Sequence, residues 1–104
     1  MDITTLINKT LPHIPFKNVA IAQAYLDQFD PNDQLALISA LYIGRSSYGD
    51  KLLDTDVDAD RNHDDHIGPN EFARILYEKN TNLTRYYEDF LRSGENTPGF
   101  LSKF

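Results

Sequence analysis

The spacing of apolar residues constrains the fold of this chain more than any other feature. They recur at every third or fourth position, and no segment alternates apolar and polar residues as a half-buried strand would. The clearest segment begins at Asp30, a good helix N-cap, followed by Pro31 at the first helical position and Asp33 near the positive end of the helix dipole. We expect this helix to end near Gly44 and to lie at the centre of the core. Its apolar positions are Leu35, Ile38, Leu41 and Tyr42.

Four further helices follow from the same periodicity. They are predicted over residues 2–9, over residues 17–28, from Pro69 onward, and from Thr81 or Asn82 to Gly94. On the second of them, the residues predicted to face the core are Val19, Ala22, Leu26 and Phe29. Pro12 and Pro15 predict an extended connector over residues 11–16. The chain of 104 residues is therefore predicted to be a single all-α domain, a small bundle of four to five helices with a tail at about residues 95–104.

Several classes of protein are excluded by composition. The chain contains no cysteine, which excludes a disulfide scaffold, a thiolate zinc site and a cysteine nucleophile. The most apolar stretch, residues 36–44, is too short to cross a bilayer, and the first residues lack the features of a signal peptide. We therefore expect a cytoplasmic protein with no membrane contact.

The net charge of −6 is concentrated in one segment. Residues 54–66 contain six aspartates and one arginine, so this segment, here called the acidic segment, carries −5 of the total. It lies within a stretch without helical periodicity, residues 45–68, which predicts one long acidic loop. Loops of this length in compact domains are often functional. Because the sequence has no basic stripe, direct binding of DNA or RNA is not expected.

Residues 60–71, DRNHDDHIGPNE, resemble the twelve-residue calcium loop of EF-hand proteins. Such a loop turns alternate oxygen ligands inward, toward a hard cation that prefers six to eight oxygens. Ile67 occupies the position of the apolar residue that packs into the core. The resemblance implies calcium as the cofactor and, as its ligands, the side chains of Asp60, Asn62 and Asp64, the carbonyl of His66, a water placed by Gly68, and both carboxylate oxygens of Glu71.

Three departures from the EF-hand pattern predict a weak site. Asp65 stands where the family has a glycine at the sharp turn, residues 51–59 lack the apolar spacing of an entering helix, and the chain has only one such loop. We expect an affinity on the order of 10⁻⁵ to 10⁻³ M. A structural role is the alternative, in which the aspartates form a solvated surface and Glu71 is a first-turn residue favoured by the helix dipole.

Other functions also remain open. A metal-free interaction module would use the acidic segment as a charged surface for a basic protein partner or as a mimic of nucleic acid, with Asp54, Asp56, Asp58 and Arg45 at the interface. His63 and His66 could instead hold zinc, manganese or iron with an aspartate, although exposed histidines are the commoner case. The sequence contains no convincing catalytic constellation, so an enzyme is not expected.

A second resemblance covers about the C-terminal two thirds of the chain. Residues 33–45, with LISALYIGR, and residues 65–94, with HIGPNEFARILYEK and YYEDFLRSG, are similar to a small bacterial family of unknown function. The resemblance implies a bacterial, helical, single-domain protein and supplies no activity.

Overall fold

A computed structural model of the chain describes residues 1–46 and 67–104. These residues form helices and no strand, which confirms the all-α prediction. The six α-helices are α1 (Ile3–Thr10), α2 (Val19–Leu26), α3 (Pro31–Ser46), α4 (Phe72–Glu78), α5 (Asn80–Asn96) and α6 (Phe100–Lys103). Two short 3-10 helices, Leu11–His13 and Pro69–Glu71, precede α2 and α4. All six helices contribute to one cluster of buried apolar side chains.

Helix α3 lies at the centre of this cluster, as predicted. The Asp30 side chain caps it by accepting a hydrogen bond from the Asp33 N–H at 2.8 Å. Helix α3 packs mainly along α5 and also contacts α1 and α4. Across the α3–α5 contact, the fully buried Tyr87 donates a hydrogen bond from its hydroxyl to the Leu37 carbonyl at 2.9 Å. The tyrosine hydroxyl is thus satisfied inside the core.

Helix α3 ends at Ser46, two residues beyond Gly44, near which its end was predicted. Gly44 instead lies where α3 approaches α5 most closely. A Cβ atom at this position would be 1.9 Å from the Tyr86 carbonyl oxygen. The glycine therefore permits a close contact between two helix backbones and does not end the helix.

Helix α2 is shorter than predicted, and its buried face differs. Ala22, Tyr25 and Leu26 are buried, whereas Val19, which we expected in the core, is 41% exposed. Val19 is only the first residue of the helix, after the N-cap Asn18. Tyr25 completes the buried face instead, because its hydroxyl reaches the buried Thr10 hydroxyl of α1 at 2.9 Å.

The connector before α2 was predicted to be extended, but only part of it is. It contains the 3-10 helix Leu11–His13, in which Pro12 occupies an early position where its missing N–H leaves no partner unsatisfied. The Ile14–Pro15 peptide bond is cis. The buried Phe16 then exchanges two hydrogen bonds with the Asn80 side chain at the start of α5.

The C-terminal residues pack on α5. This helix runs to Asn96, beyond its predicted end at Gly94, whose missing Cβ leaves room for the Leu101 side chain. Gly99 has a φ of +76°, in the left-handed region that favours glycine. Phe100 and Phe104 are buried, and their rings lie 6.0 and 5.0 Å from the ring of Phe90. Phe100 and Phe104 thus complete the core.

Candidate functional site

Most of the residues predicted to form the acidic site lie outside the described ranges. These are Asp54, Asp56, Asp58, Asp60, Asn62, Asp64 and His66, together with His63. Gly68 and Glu71 of the predicted calcium ligands are described, as is Arg45 of the predicted partner contacts.

Gly68 and Glu71 form the entrance to α4. Gly68 is the N-cap of the 3-10 helix Pro69–Glu71, and its carbonyl accepts a hydrogen bond from the Glu71 N–H at 2.9 Å. Ile67, one residue earlier, is partly buried and packs against the core. The chain is therefore anchored just before Gly68, and Glu71 lies one residue before α4 begins.

The Glu71 carboxylate lies at the surface and is held by Arg74. Its Oε1 atom is 3.0 Å from Arg74 Nη2, and the side chain is 44% exposed. Arg74 also binds both carboxylate oxygens of Glu78 at 3.0 Å, and these bonds and charges raise the pKa of its guanidinium. Any cation bound by both oxygens of Glu71 would compete with Arg74.

Arg45 lies in the last turn of α3, where a positive charge interacts favourably with the helix dipole. Its side chain is exposed and makes no ion pair with the other described residues. The guanidinium group is thus accessible for contact with carboxylates.

A groove between α1, the first 3-10 helix and α2 is not predicted by the sequence. Its volume is about 340 Å³, and it is lined by Met1, Lys9, His13, Tyr25, Gln28 and Phe29. From the sequence, His13 is interpreted only as a surface residue between two prolines. The sequence signal for the groove is the spacing of Tyr25, Gln28 and Phe29, which places them close together on one side of α2 and its end.

The aromatic side chains of the groove contact one another. The His13 ring centroid is 4.5 Å from that of Tyr25, and Phe29 meets Tyr25 edge-on at 5.2 Å. The Tyr25 hydroxyl is hydrogen-bonded to Thr10, and burial raises its pKa. Tyr25 therefore stays neutral through the physiological range.

Helix α5 carries a buried carboxylate. Asp89 is 2% exposed, and its Oδ1 atom is 2.9 Å from Arg92 Nη2. Its Oδ2 atom has no hydrogen-bond partner among the described residues, and Arg85 Nε lies 3.8 Å from it. On the same helix Tyr87 is buried.

Within residues 1–46 and 67–104, no three His, Asp or Glu side chains are grouped so that they could hold a metal ion. In the same residues, no helix has the length and apolar character needed to cross a membrane.

Comparison of the chain with models of known families, with curated proteins and with solved structures finds no match. The resemblances to EF-hand loops and to a bacterial family of unknown function therefore stay predictions.

Proposed function

We propose that this protein is a small non-enzymatic binding module whose acidic segment takes up calcium, with Glu71 as the ligand that closes the site. The observation that supports this proposal best is the placement of Glu71. Its carboxylate is at the surface one residue before α4, directly after a chain segment that Ile67 anchors to the core. An EF-hand loop needs these two features at its C-terminal end.

The carboxylate of Glu71 also has capacity for a further ligand. Arg74 binds Oε1, and no hydrogen bond from the described residues reaches Oε2. Arg74 has Glu78 as a second partner, so it stays paired if Glu71 turns toward a cation. This exchange lowers the affinity for calcium, in keeping with a weak site.

Calcium binding would change the protein in two ways. It would neutralise part of the −5 charge of the acidic segment, and it would fix Glu71 at the start of α4. Because α4 packs on α2, a change at this end of α4 would be transmitted to α2.

A metal-free interaction module is the second candidate, and the Glu71–Arg74 pair favours it. In this alternative Arg74 neutralises Glu71 permanently, and the acidic segment binds a basic partner through its total charge. The affinity for the partner then depends as much on Asp54, Asp56 and Asp58 as on the predicted calcium ligands. Binding also weakens as salt concentration rises.

Calorimetric titration of calcium into two matched variants separates the candidates. Asp60→Asn and Asp54→Asn remove the same charge from the acidic segment, but only Asp60 is a predicted ligand. We expect Asp60→Asn to abolish the binding heat and Asp54→Asn to retain it with an affinity within about threefold, since a nearby charge acts only through screened attraction. Equal weakening in both variants would contradict a positioned ligand set and support the charged surface.

A further inference from the structure

The groove between α1 and α2 has no role in the function proposed above, although it has the size of a small-molecule site. Its volume of about 340 Å³ falls in the range of small-molecule sites, about 300–1,000 Å³. Three elements contribute to it: Lys9 from the end of α1, His13 from the 3-10 helix, and Tyr25 from α2. Gln28 and Phe29 follow directly after α2.

Three of the six residues that line the groove carry aromatic rings. Tyr25 is the centre of an aromatic cluster, with the His13 ring tilted by 38° against it and Phe29 meeting it edge-on. Phe29 is partly buried and His13 is exposed, so both rings keep surface available. A flat aromatic ligand can therefore pack beside them in the tilted or edge-on geometries that aromatic pairs prefer.

The charged groups that line the groove are cationic. Lys9 is exposed and makes no ion pair with the described residues. The amine of Met1 lies 3.4 Å from the buried carboxylate of Asp33, which offsets its charge. No lining residue is an aspartate or glutamate among those the structure describes, and burial keeps the Tyr25 phenol neutral by raising its pKa. The groove therefore favours an anion.

We propose that this groove binds an aromatic carboxylate. The ring of the ligand lies beside His13 and Phe29, and its carboxylate accepts a charge-assisted hydrogen bond from Lys9 Nζ. The aromatic contacts hold the ring of the ligand, and Lys9 supplies the selectivity for an anion. The ligand is either a free aromatic acid or the C-terminal aromatic residue of a polypeptide, which share this chemistry.

The proposal is tested by titrating three small ligands into the full chain and monitoring the amide chemical shifts by NMR. Benzoate carries both features, benzamide lacks the charge, and acetate lacks the ring. We expect benzoate to give saturable shifts at His13, Tyr25 and Gln28. Benzamide should bind about tenfold more weakly, because it loses the charge-assisted hydrogen bond, and acetate should give no saturable shift at these residues.

A pair of lysine variants assigns the selectivity to one residue. Lys9→Gln is expected to weaken benzoate about tenfold and to leave benzamide unchanged. Lys103→Gln changes an exposed lysine of α6 that does not line the groove, and it should leave both affinities unchanged. Both substitutions are at the surface, so shifts of core residues serve to verify the fold.

The outcomes are distinct. Absence of saturable shifts with benzoate, equal affinity for benzoate and benzamide, or an unchanged benzoate affinity in Lys9→Gln would each overturn the proposal. A fourth probe, N-acetylphenylalanine, identifies the source of the ligand. If it binds more tightly than benzoate, the natural ligand is a polypeptide C-terminus, and if it binds more weakly, the ligand is a free acid.

Discussion

The side-chain amide of Asn80 binds both polar groups of the Phe16 backbone. Its Oδ1 atom accepts a hydrogen bond from the Phe16 N–H at 2.9 Å, and its Nδ2 atom donates one to the Phe16 carbonyl at 2.7 Å. One asparagine thereby ties the connector before α2 to the first residue of α5. Because both bonds are partly buried, removing the amide would leave a backbone donor and acceptor without these partners.

Replacing this asparagine should therefore destabilise the fold. We expect Asn80→Ala to lower the free energy of unfolding by about 1–3 kcal/mol. Asn82→Ala, at an exposed position two residues later on the same helix, should change it by less than about 0.5 kcal/mol. Urea denaturation of both variants measures the difference. Similar stability of the two would contradict the structural role of Asn80.

A second prediction concerns Gly44→Ala. Helix propensity favours this substitution, whereas the close contact between α3 and α5 opposes it. Alanine is favoured over glycine by about 1 kcal/mol inside a helix, yet its Cβ would overlap the Tyr86 carbonyl oxygen. Backbone atoms cannot move aside cheaply, so we expect Gly44→Ala to destabilise the protein by about 1–3 kcal/mol. The difference is measured as a shift of the urea denaturation midpoint, at an unchanged dependence of the unfolding free energy on urea concentration.

Gly68→Ala is a control for the steric effect alone, because Gly68 lies outside the α-helices. There the new Cβ would approach only the Asn70 side chain, whose Oδ1 atom would be 2.7 Å away and which can rotate. The loss of stability should be clearly smaller than in Gly44→Ala. A stabilising effect of Gly44→Ala would show that α3 and α5 do not approach as closely as the structure has them.

The buried phenol of Tyr87 should make the protein less stable at high pH. Burial raises its pKa above the ordinary value of 10.0, so the folded protein keeps a phenol proton that the unfolded chain releases. This contribution is fully present below pH 10 and is lost as the pH rises above it, with a limiting slope of about 1.4 kcal/mol per pH unit.

Urea denaturation at pH 9, 10 and 11 checks this prediction against two variants. Tyr87→Phe removes the titrating group, so its stability should fall less steeply than that of the wild type between pH 10 and 11. Tyr77→Phe, at a position 42% exposed, should follow the wild type. Parallel pH profiles for all three proteins would contradict a buried, titrating Tyr87.

The local signals in the sequence predict much of the fold. Asp30 and Pro31 mark the start of α3 correctly, because capping depends only on neighbouring residues. The same signals place the end of α5 too early, at Gly94, and the end of α3 near Gly44, two residues before Ser46. In the sequence, a glycine that ends a helix cannot be told from a glycine that leaves room for another segment of the same chain. The second role depends on residues that are distant along the chain.

The same distinction applies to the candidate sites. The EF-hand pattern is continuous in sequence, so Ile67 and Glu71 can be assigned positions in it from the order of the residues alone. The groove joins Lys9 and His13 to Tyr25 and Phe29, which are separated by the connector and most of α2. Only the tertiary fold, in which Thr10 of α1 is hydrogen-bonded to Tyr25 of α2, brings these side chains together, and periodicity within either segment does not reveal it.

Thermal unfolding in calcium, in magnesium and with a chelator, at fixed ionic strength, tests whether Glu71 closes a calcium site. The informative variants are Glu71→Gln and Glu78→Gln, because each removes one carboxylate partner of Arg74 and only Glu71 is a predicted ligand. At calcium one hundred times the dissociation constant, binding should add about 2.7 kcal/mol to the stability of the folded state. The wild type and Glu78→Gln should then melt several degrees higher in calcium alone. Glu71→Gln should show no calcium shift. Equal melting of the wild type in all three solutions, or the same calcium shift in Glu71→Gln as in Glu78→Gln, would contradict a calcium site closed by Glu71.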